Sequence, residues 1–336
     1  MTHKRVGAVG VVAAAAVLLS GCVSSGADDG GGASADYPAE PIHILIPYGA
    51  GGGTDLSGRL LASGLEDELG AKVVVENDPS ASGQNAVQKV ADADVDGYTL
   101  GFVSLPATNM MYLDEERGAQ FTRDSFQPVA VHDTDTVAVA VSGDSSYESL
   151  DDVVAAAKAN PGSITAGSSG VLAVGHLGVL ALQKAAGIEI RWSNFEDSGQ
   201  LRTSVLGESV TLEVGPVSEL APAASSGDLR ILALLGDERM DGDLADVPTA
   251  AELGYDEVSV SANRVLVAPA GTPAEIVDAL SHAIESAQEG DDYQQQASSR
   301  SLNLNFQDAD AASELWERFD SSFGPIAQEY RSSEGD

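Results

Sequence analysis

The chain has 336 residues, of which 52 are Asp or Glu and 17 are Lys or Arg, so its formal net charge is −35. This balance excludes nucleic acid as a natural partner, because phosphate binding needs a basic surface. A single cysteine excludes an intrachain disulfide, and five histidines without a His-x-x-x-His pair give no metal-site spacing.

The N-terminus predicts an export signal followed by a tether. Two basic residues precede a short apolar run over 6–19 that ends in Leu-Ser-Gly-Cys. This pattern is typical of a signal peptide, here 1–21, and the run is too short to span a membrane. The ending resembles a bacterial lipobox, so we expect lipidation of Cys22 and anchoring on the outer face of the cell membrane. A plain secreted protein with an incidental cysteine is the alternative. Residues 22–36, rich in Ser, Gly, Ala and Asp, predict a flexible tether.

A glycine-rich loop over 47–55 follows the tether. A β-branched strand at 42–46 precedes the loop, and leucines at helical spacing continue to Leu65. Successive backbone N–H groups at a helix N-terminus form a small anion site that needs no lysine or arginine. The loop is not a Walker loop, since no Gly-Lys-Ser or Gly-Lys-Thr follows, and its glycines do not fit Gly-x-Gly-x-x-Gly.

Strand-like apolar runs alternate with helical patterns along the rest of the chain. This alternation predicts an α/β fold with parallel or mixed sheets flanked by helices. Further strands are predicted at 73–75, 98–103, 129–131, 137–141, 164–166, 189–192, 211–214, 229–235 and 265–267. Helices are predicted at 82–91, 150–160, 174–186, 200–206, 218–224, 274–287 and 309–330.

Two strand–loop–helix units, at 42–65 and 164–186, suggest two lobes. Ligands of open α/β sheets bind beyond the carboxyl ends of the strands, so two such loops would hold a ligand between them. The second loop, within Ala-Gly-Ser-Ser-Gly at 166–170, is also compatible with a hydrolase nucleophile elbow at Ser168. The histidines that follow lie in helical patterns, at His176 and His282. A tight structural turn is therefore the favoured interpretation, and a secreted serine esterase is the alternative.

A series of short motifs runs in a fixed order along the chain. Tyr-Pro-Ala-Glu-Pro-Ile, Ile-Pro-Tyr and Gly-Gly-Gly-Thr-Asp come first, at 37–42, 46–48 and 51–55. Val-Glu-Asn, Asp-Gly-Tyr-Thr-Leu, Leu-Arg-Ile-Leu-Ala, Asp-Val-Pro-Thr-Ala-Ala-Glu-Leu-Gly and Pro-Ala-Gly-Thr-Pro follow, at 75–77, 96–100, 229–233, 246–254 and 269–273. The ordered series resembles the Bug proteins, the extracytoplasmic solute receptors of tripartite tricarboxylate transporters, over essentially all of 37–330.

The resemblance implies a two-lobed, periplasmic-binding-protein-like fold that closes on its ligand. Lobe 1 would comprise 37–138 and 262–332, and lobe 2 would comprise 139–261. The resemblance also implies a monomeric receptor without catalytic activity, cofactor or metal, whose partners are membrane permease subunits. A ligand-binding subunit of a membrane signalling system is the alternative.

The resemblance places a small carboxylate between the two loops, held chiefly by backbone amides and waters. Asp55 would cap the first helix or orient a bridging water, and Arg59 would support the loop through an ion pair. The expected ligand-binding residues are Tyr48, Gly51, Gly52, Gly53, Thr54, Asp55, Ser104, Gly167, Ser168, Ser169, Gly170, Phe195 and Glu196.

One segment departs from the family pattern. Relatives usually carry Val-Pro-Tyr-x-Gly where this chain has Ser-Asn-Phe-Glu-Asp-Ser-Gly at 193–199. If Glu196 or Asp197 faces the cleft, a di- or tricarboxylate is repelled by roughly 1 kcal/mol even with strong screening, and a monocarboxylate, amino acid or aromatic acid fits better. If both face solvent, they extend the acidic surface.

The excess of acidic residues suggests a source that lives at high salt, where screening removes self-repulsion. We therefore expect the melting temperature to rise between low and molar NaCl. Differential scanning calorimetry at both salt concentrations checks this, and equal melting temperatures would contradict it.

Overall fold

Ten strands form one mixed sheet in the computed structural model, which describes residues 37–195, 198–300 and 302–334. The strands are β1 Ile42–Ile46, β2 Val73–Asn77, β3 Thr99–Leu105, β4 Phe126–Ser142, β5 Ile164–Ser169, β6 Ile190–Phe195, β7 Leu212–Pro216, β8 Leu229–Leu234, β9 Ser261–Pro269 and β10 Leu304–Gln307. The helices are α1 Gly53–Leu69, α2 Gln84–Ala91, α3 Ala107–Leu113, α4 Leu150–Ala159, α5 Val174–Ala186, α6 Ser198–Leu206, α7 Val217–Ser225, α8 Ala274–Glu289, α9 Asp291–Ser299 and α10 Ala309–Glu334.

The sheet contains two parallel groups separated by antiparallel strands. Its order is β2-β1-β3-β9-β4-β7-β5-β6, and β8 and β10 also pair with β4. β1 runs parallel to β2 and β3, and β5 runs parallel to β6 and β7. β9 and β4 lie between the groups and pair antiparallel with each other. The predicted mixed α/β architecture is confirmed, and the glycine loop and the second loop each follow the first strand of a parallel group.

β4 is one strand of 17 residues where the sequence predicts two short strands. The apolar pattern breaks at His132, Asp133 and Asp135, yet all three side chains are buried. They are tolerated because β9 pairs alongside and places Arg264 directly opposite Asp133. The predicted lobe boundaries fall inside β4 and β9, and these boundaries stay a prediction.

The core forms because strand side chains alternate between two faces of the sheet. Ile42, Ile44 and Ile46 of β1 belong to the apolar cluster that α1 and α8 cover. Leu45 belongs to a larger cluster on the other face, which includes Trp316 of α10 and also takes in side chains of β5 and β7. A continuous apolar layer thus joins the two parallel groups.

Some element bounds differ from the prediction for local reasons. α2 begins at Gln84 rather than at Ser82, because Ser82 has φ +55 and lies in the left-handed region. α3, α9 and β10 were not predicted. α9 has a weak apolar pattern of nine residues, and β10 has four residues that pair only with β4.

None of the described helices is both long and apolar enough to cross a membrane.

The N-terminal turn of α5 lies against the backbone of β7 at Gly175. A Cβ at this position would lie 2.3 Å from the carbonyl oxygen of Val214 and 2.8 Å from the Cβ of Ser168. Glycine therefore sets how closely the helix approaches the second loop.

We expect Gly175→Ala to lower the free energy of unfolding by about 1–3 kcal/mol, because the added methyl group overpacks this contact. In a surface helix, the same substitution would instead raise the free energy of unfolding by about 0.5–1 kcal/mol. Urea unfolding measures the difference. Gly215→Ala is the matched control, since nothing lies within 4 Å of a Cβ there; equal stability of Gly175→Ala and the wild type would contradict the close contact.

Candidate ligand-binding site

The glycine loop is held in place by side chains at its own base. Asp55 accepts hydrogen bonds from the Gly51 amide at 2.8 Å and from Arg59 Nε at 3.1 Å. Arg59 also donates to Asn77 Oδ1 at 2.9 Å, and Asn77 Nδ2 donates to the carbonyl oxygen of Tyr48 at 3.0 Å. Asp55 thus occupies the third position of α1 and reaches back to the loop, which favours the capping role over the water-orienting one.

The same contacts explain the ionisation of Asp55. Burial disfavours the carboxylate, but hydrogen bonds from Arg59, Gly51 and Asn77 outweigh burial and hold the pKa of Asp55 below its usual value. The ionised carboxylate therefore fixes the loop at neutral pH.

The N-terminus of α1 is open to a ligand. Gly51, Gly52 and Gly53 are exposed, and Thr54 is half-buried. Gly52 is the N-cap residue in an extended conformation, while Gly51 has φ +88, which favours glycine. Because the first amides of a helix have no acceptor four residues earlier, those of Gly52, Gly53 and Thr54 can bind an anion.

Tyr48 and Ser104, two of the predicted ligand-binding residues, come together beside this loop, and their contact with a ligand stays a prediction. The Tyr48 hydroxyl is shielded from solvent and lies close to Ser104 at the end of β3 and to Thr108 of α3. Burial raises the pKa of Tyr48 to about 12, despite the opposing effects of Thr108 and the nearby Arg264. Tyr48 is therefore a neutral donor at physiological pH.

Arg264 is the residue at this site that sequence reasoning missed. It is 7% exposed, projects from β9, and forms an ion pair with Asp133. Its Nε lies 3.4 Å from Thr54 Oγ1, and a Cβ on Gly53 would lie 2.8 Å from its Nη2 atom. The available signal was a lone arginine within an apolar strand pattern, together with the acids that interrupt the pattern of β4.

A buried hydrogen-bond network orients Asp133 behind Arg264. His132 Nδ1 lies 2.9 Å from Asp133 Oδ2 and 2.9 Å from Ser57 Oγ, and His132 Nε2 lies 2.6 Å from the Tyr293 hydroxyl. Burial disfavours the charge of Asp133, but His132 and Arg264 hold its pKa below the usual value. Ser57, His132 and Asp133 resemble a catalytic set by type, yet all three are 0% exposed, so no substrate reaches them.

The second loop is also fixed by side chains. Ser168 is buried, and its Oγ accepts a hydrogen bond from Trp192 Nε1 at 2.9 Å. The Gly170 amide donates to Asn194 Oδ1 at 2.8 Å, and Gly170 has φ +89. Ser169 is exposed. Of the predicted residues here, Ser169 and Gly170 are accessible, whereas Ser168 supports the loop.

His176 does not act on Ser168. Its ring stacks on Trp192 with 3.6 Å between centroids, and its Nδ1 accepts the Leu172 amide at 3.0 Å. Burial lowers the pKa of His176 to about 4, so the imidazole is neutral. His282 lies on α8, 82% exposed, beside Glu285 at 3.7 Å. The described contacts therefore give no support to an esterase.

Gly167 and Phe195 serve packing. A Cβ on Gly167 would lie 2.3 Å from Leu201 Cδ1 and 2.8 Å from Phe195 Cε2, so Phe195 packs directly over the strand. Glu196 and Asp197 lie outside the described residues. The predicted ligand contact of Glu196 stays a prediction.

A cavity of about 120 Å³ adjoins the second loop. It is lined in part by Ser168, Ser169, Glu213 and Glu219. Glu213 is buried and forms a bidentate ion pair with Arg202 at 2.6 and 2.8 Å. Desolvation and the charges of nearby acids raise the pKa of Glu219. Among the described residues, the lining carries two carboxylates and no lysine or arginine, so negative charge is in excess on this side of the site.

A line of contacts joins the first loop to the start of α7. Asp135 Oδ2 lies 3.6 Å from Arg264 Nη2, and Asp135 accepts from the Ser218 amide at 3.2 Å and from its hydroxyl at 2.5 Å. Ser218 lies in the first turn of α7, directly beside the cavity residue Glu219. The path from Thr54 to Ser218 thus runs through Arg264 and Asp135.

Comparison with known proteins identifies the family. The family model described as "Tripartite tricarboxylate transporter family receptor" matches residues 58–329. The chain belongs to this family. Its members are solute receptors that act outside the cytoplasmic membrane, and the predicted resemblance is confirmed.

Relatives and solved structures agree with this assignment. The protein BugT of Bordetella pertussis is 32% identical over 256 residues, which cover 76% of this chain and 78% of BugT. A TctC solute-binding protein from Polaromonas is similar in structure, with a TM-score of 0.79, 25% identity, and coverage of 87% of this chain and 99% of that one. MatC from Rhodopseudomonas palustris, solved with bound malate, has a TM-score of 0.70 at 22% identity, with coverage of 87% and 100%, and supports the fold.

We expect Asp55→Asn to lower the free energy of unfolding at pH 7 by about 1–3 kcal/mol, since a buried charged hydrogen-bond network is lost. A carboxylate with a depressed folded pKa stabilises the protein above its unfolded pKa of about 3.9, and this contribution disappears as the pH falls through the folded pKa. The difference between variant and wild type should therefore shrink below about pH 4.

Urea unfolding between pH 7 and pH 3 measures this dependence. Asp67→Asn, an exposed change in the same helix, is the matched control and should leave the pH dependence unchanged. A wild-type pH dependence in Asp55→Asn would contradict the role of the ionised carboxylate.

Proposed function

We propose that the protein is an extracytoplasmic receptor that captures a small organic carboxylate and delivers it to the membrane subunits of a tripartite transporter. The observation that carries the proposal is the N-terminus of α1, where Asp55 fixes an exposed glycine loop with free first-turn amides. An anion site built from backbone amides suits a carboxylate and needs little basic surface. The malate bound to MatC is a ligand of this chemical class.

The delivery role includes features at the N-terminal end of the chain. A signal peptide at 1–21, lipidation of Cys22 and a tether at 22–36 would hold a monomeric receptor near the permease. These residues lie outside the described part of the chain, and their sequence supports the proposal.

Closure of two lobes would bring the two loops onto the ligand. Lobe 1 would comprise 37–138 and 262–332, and lobe 2 would comprise 139–261. The pairing of β4 with β9 on one side and with β7 and β8 on the other supports this division. A ligand that contacts both lobes favours the closed state by its differential affinity.

The acids beside the second loop bear on the class of ligand. Glu213 is paired with Arg202, but Glu219 also lines the cavity, and the described lining residues include no lysine or arginine. A second ligand carboxylate at this end would be repelled by roughly 1 kcal/mol or more at close range. The proposed ligand therefore carries one carboxylate and an uncharged or cationic far end.

A thermal-shift screen tests the proposal with malate, adipate, succinate, 4-aminobutyrate and benzoate. A bound acid at about 100 times its Kd adds about 2.7 kcal/mol to the free energy of unfolding, which raises the melting temperature by several degrees. We expect at least one acid to do so, and 4-aminobutyrate to exceed succinate, which has the same number of carbons.

Sodium chloride at equal ionic strength and 4-aminobutyramide are the controls, because salt alone stabilises an acidic protein. No shift with any acid would contradict carboxylate capture. A larger shift with succinate than with 4-aminobutyrate would contradict only the single-carboxylate class.

A further inference from the structure

Arg264 lies under the loop where the proposed carboxylate binds. Its side chain reaches from β9 to the N-terminus of α1, where Nε is 3.4 Å from Thr54 Oγ1. The guanidinium passes so close to Gly53 that a Cβ there would lie 2.8 Å from Nη2 and would displace it. The cation and the first-turn amides therefore face the same space.

The guanidinium is fixed on one side and available on the other. Nη1 forms the ion pair with Asp133, which His132 and Ser57 orient from behind. Within the described part of the chain, Nη2 makes no hydrogen bond, since its nearest carboxylate oxygen, on Asp135, is 3.6 Å away.

Two partly buried arginines, Arg202 and Arg230, are used differently. Arg202 donates hydrogen bonds from Nε and Nη2 to the Glu213 carboxylate, and from Nη2 also to the carbonyl oxygen of Glu219. Arg230 donates to three backbone carbonyl oxygens, of Gly143, Ser145 and Tyr147. Their hydrogen bonds are those of structural arginines, whereas Nη2 of Arg264 keeps a donor beside an open loop.

Asp135 has an alternative partner. Its carboxylate already accepts two hydrogen bonds from Ser218 at the start of α7. A ligand carboxylate can therefore take the place of Asp135 beside Nη2 while Asp135 keeps both hydrogen bonds from Ser218. This exchange requires no movement of Asp133 or of its network.

We propose that Arg264 is the specificity-determining residue for the carboxylate end of the ligand, with Nη2 binding one oxygen while the first-turn amides of α1 bind the other. The inference rests on the proposed carboxylate capture. A charge-assisted contact of this kind discriminates an acid from its neutral amide, which backbone amides alone do much less well.

The test compares Arg264→Gln and Arg264→Lys with the wild type by isothermal titration calorimetry. The probes are the five acids of the thermal-shift panel and their corresponding amides. For each acid that binds, Arg264→Gln should weaken binding by about 10- to 100-fold. The affinity of Arg264→Lys should lie between those of the wild type and Arg264→Gln, because lysine keeps the charge without the planar guanidinium group. Lys158→Gln, an exposed change of equal charge on α4, should bind as the wild type does.

Selectivity separates recognition from support of the fold. The ratio of amide to acid Kd should fall toward one in Arg264→Gln and stay at the wild-type value in Lys158→Gln. Because Arg264→Gln leaves Asp133 buried without its counter-charge, Arg264→Gln with Asp133→Asn is the second variant. Circular dichroism checks that each variant folds.

Three results would overturn the inference. Equal weakening of acid and amide would make Arg264 a structural residue, and unchanged acid affinity in the folded variants would remove it from the site. Absence of binding of all acids to the wild type would overturn the proposed function together with the inference.

Discussion

The buried ion pair between Arg264 and Asp133 joins the two strands on which the rest of the sheet depends. An unpaired charge at either position would cost several kcal/mol, so each residue makes the other tolerable. The pair allows β4 to run without a break through a polar stretch, with one parallel group on each side. Arg264 also connects α1 to α7, because it reaches Thr54 and pairs with Asp135, which accepts a hydrogen bond from Ser218. The same arginine therefore supports both the continuous strand β4 and the position of the first loop.

An acidic protein can still bind an anion when its own charges are locally neutralised. Asp55 is paired with Arg59, and Arg264 lies between Asp133 and Asp135, so each of these carboxylates has a cation beside it. The second loop uses neutral partners instead, namely the indole of Trp192, the uncharged imidazole of His176 and the amide of Asn194. The unbalanced charge of Glu219 remains on that side. The two ends of the site thus differ in electrostatic character.

Local patterns predicted the elements that bear the loops. The strand at 42–46 and the helix that begins near Asp55 follow from β-branched residues and from leucines at helical spacing. The continuity of β4 could not be predicted, because the partner that stabilises Asp133 lies 131 residues away in the sequence. Short elements such as β10 were missed for the same reason, since four residues acquire strand geometry only by pairing with β4. The motif series still identified the family, because it depends on order along the chain.

The sequence by itself determined the class of fold, the family, the two loops and the excess of negative charge, since all of these depend on residue type and local spacing. It also placed Tyr48, Thr54 and Asp55 together, because they share one loop. Only the tertiary structure decided that Ser168 supports its loop and that Phe195 packs on Gly167. It alone placed Arg264 beneath Gly53. These contacts join residues distant in sequence, and only the pairing of strands and the packing of helices on the sheet set their distances.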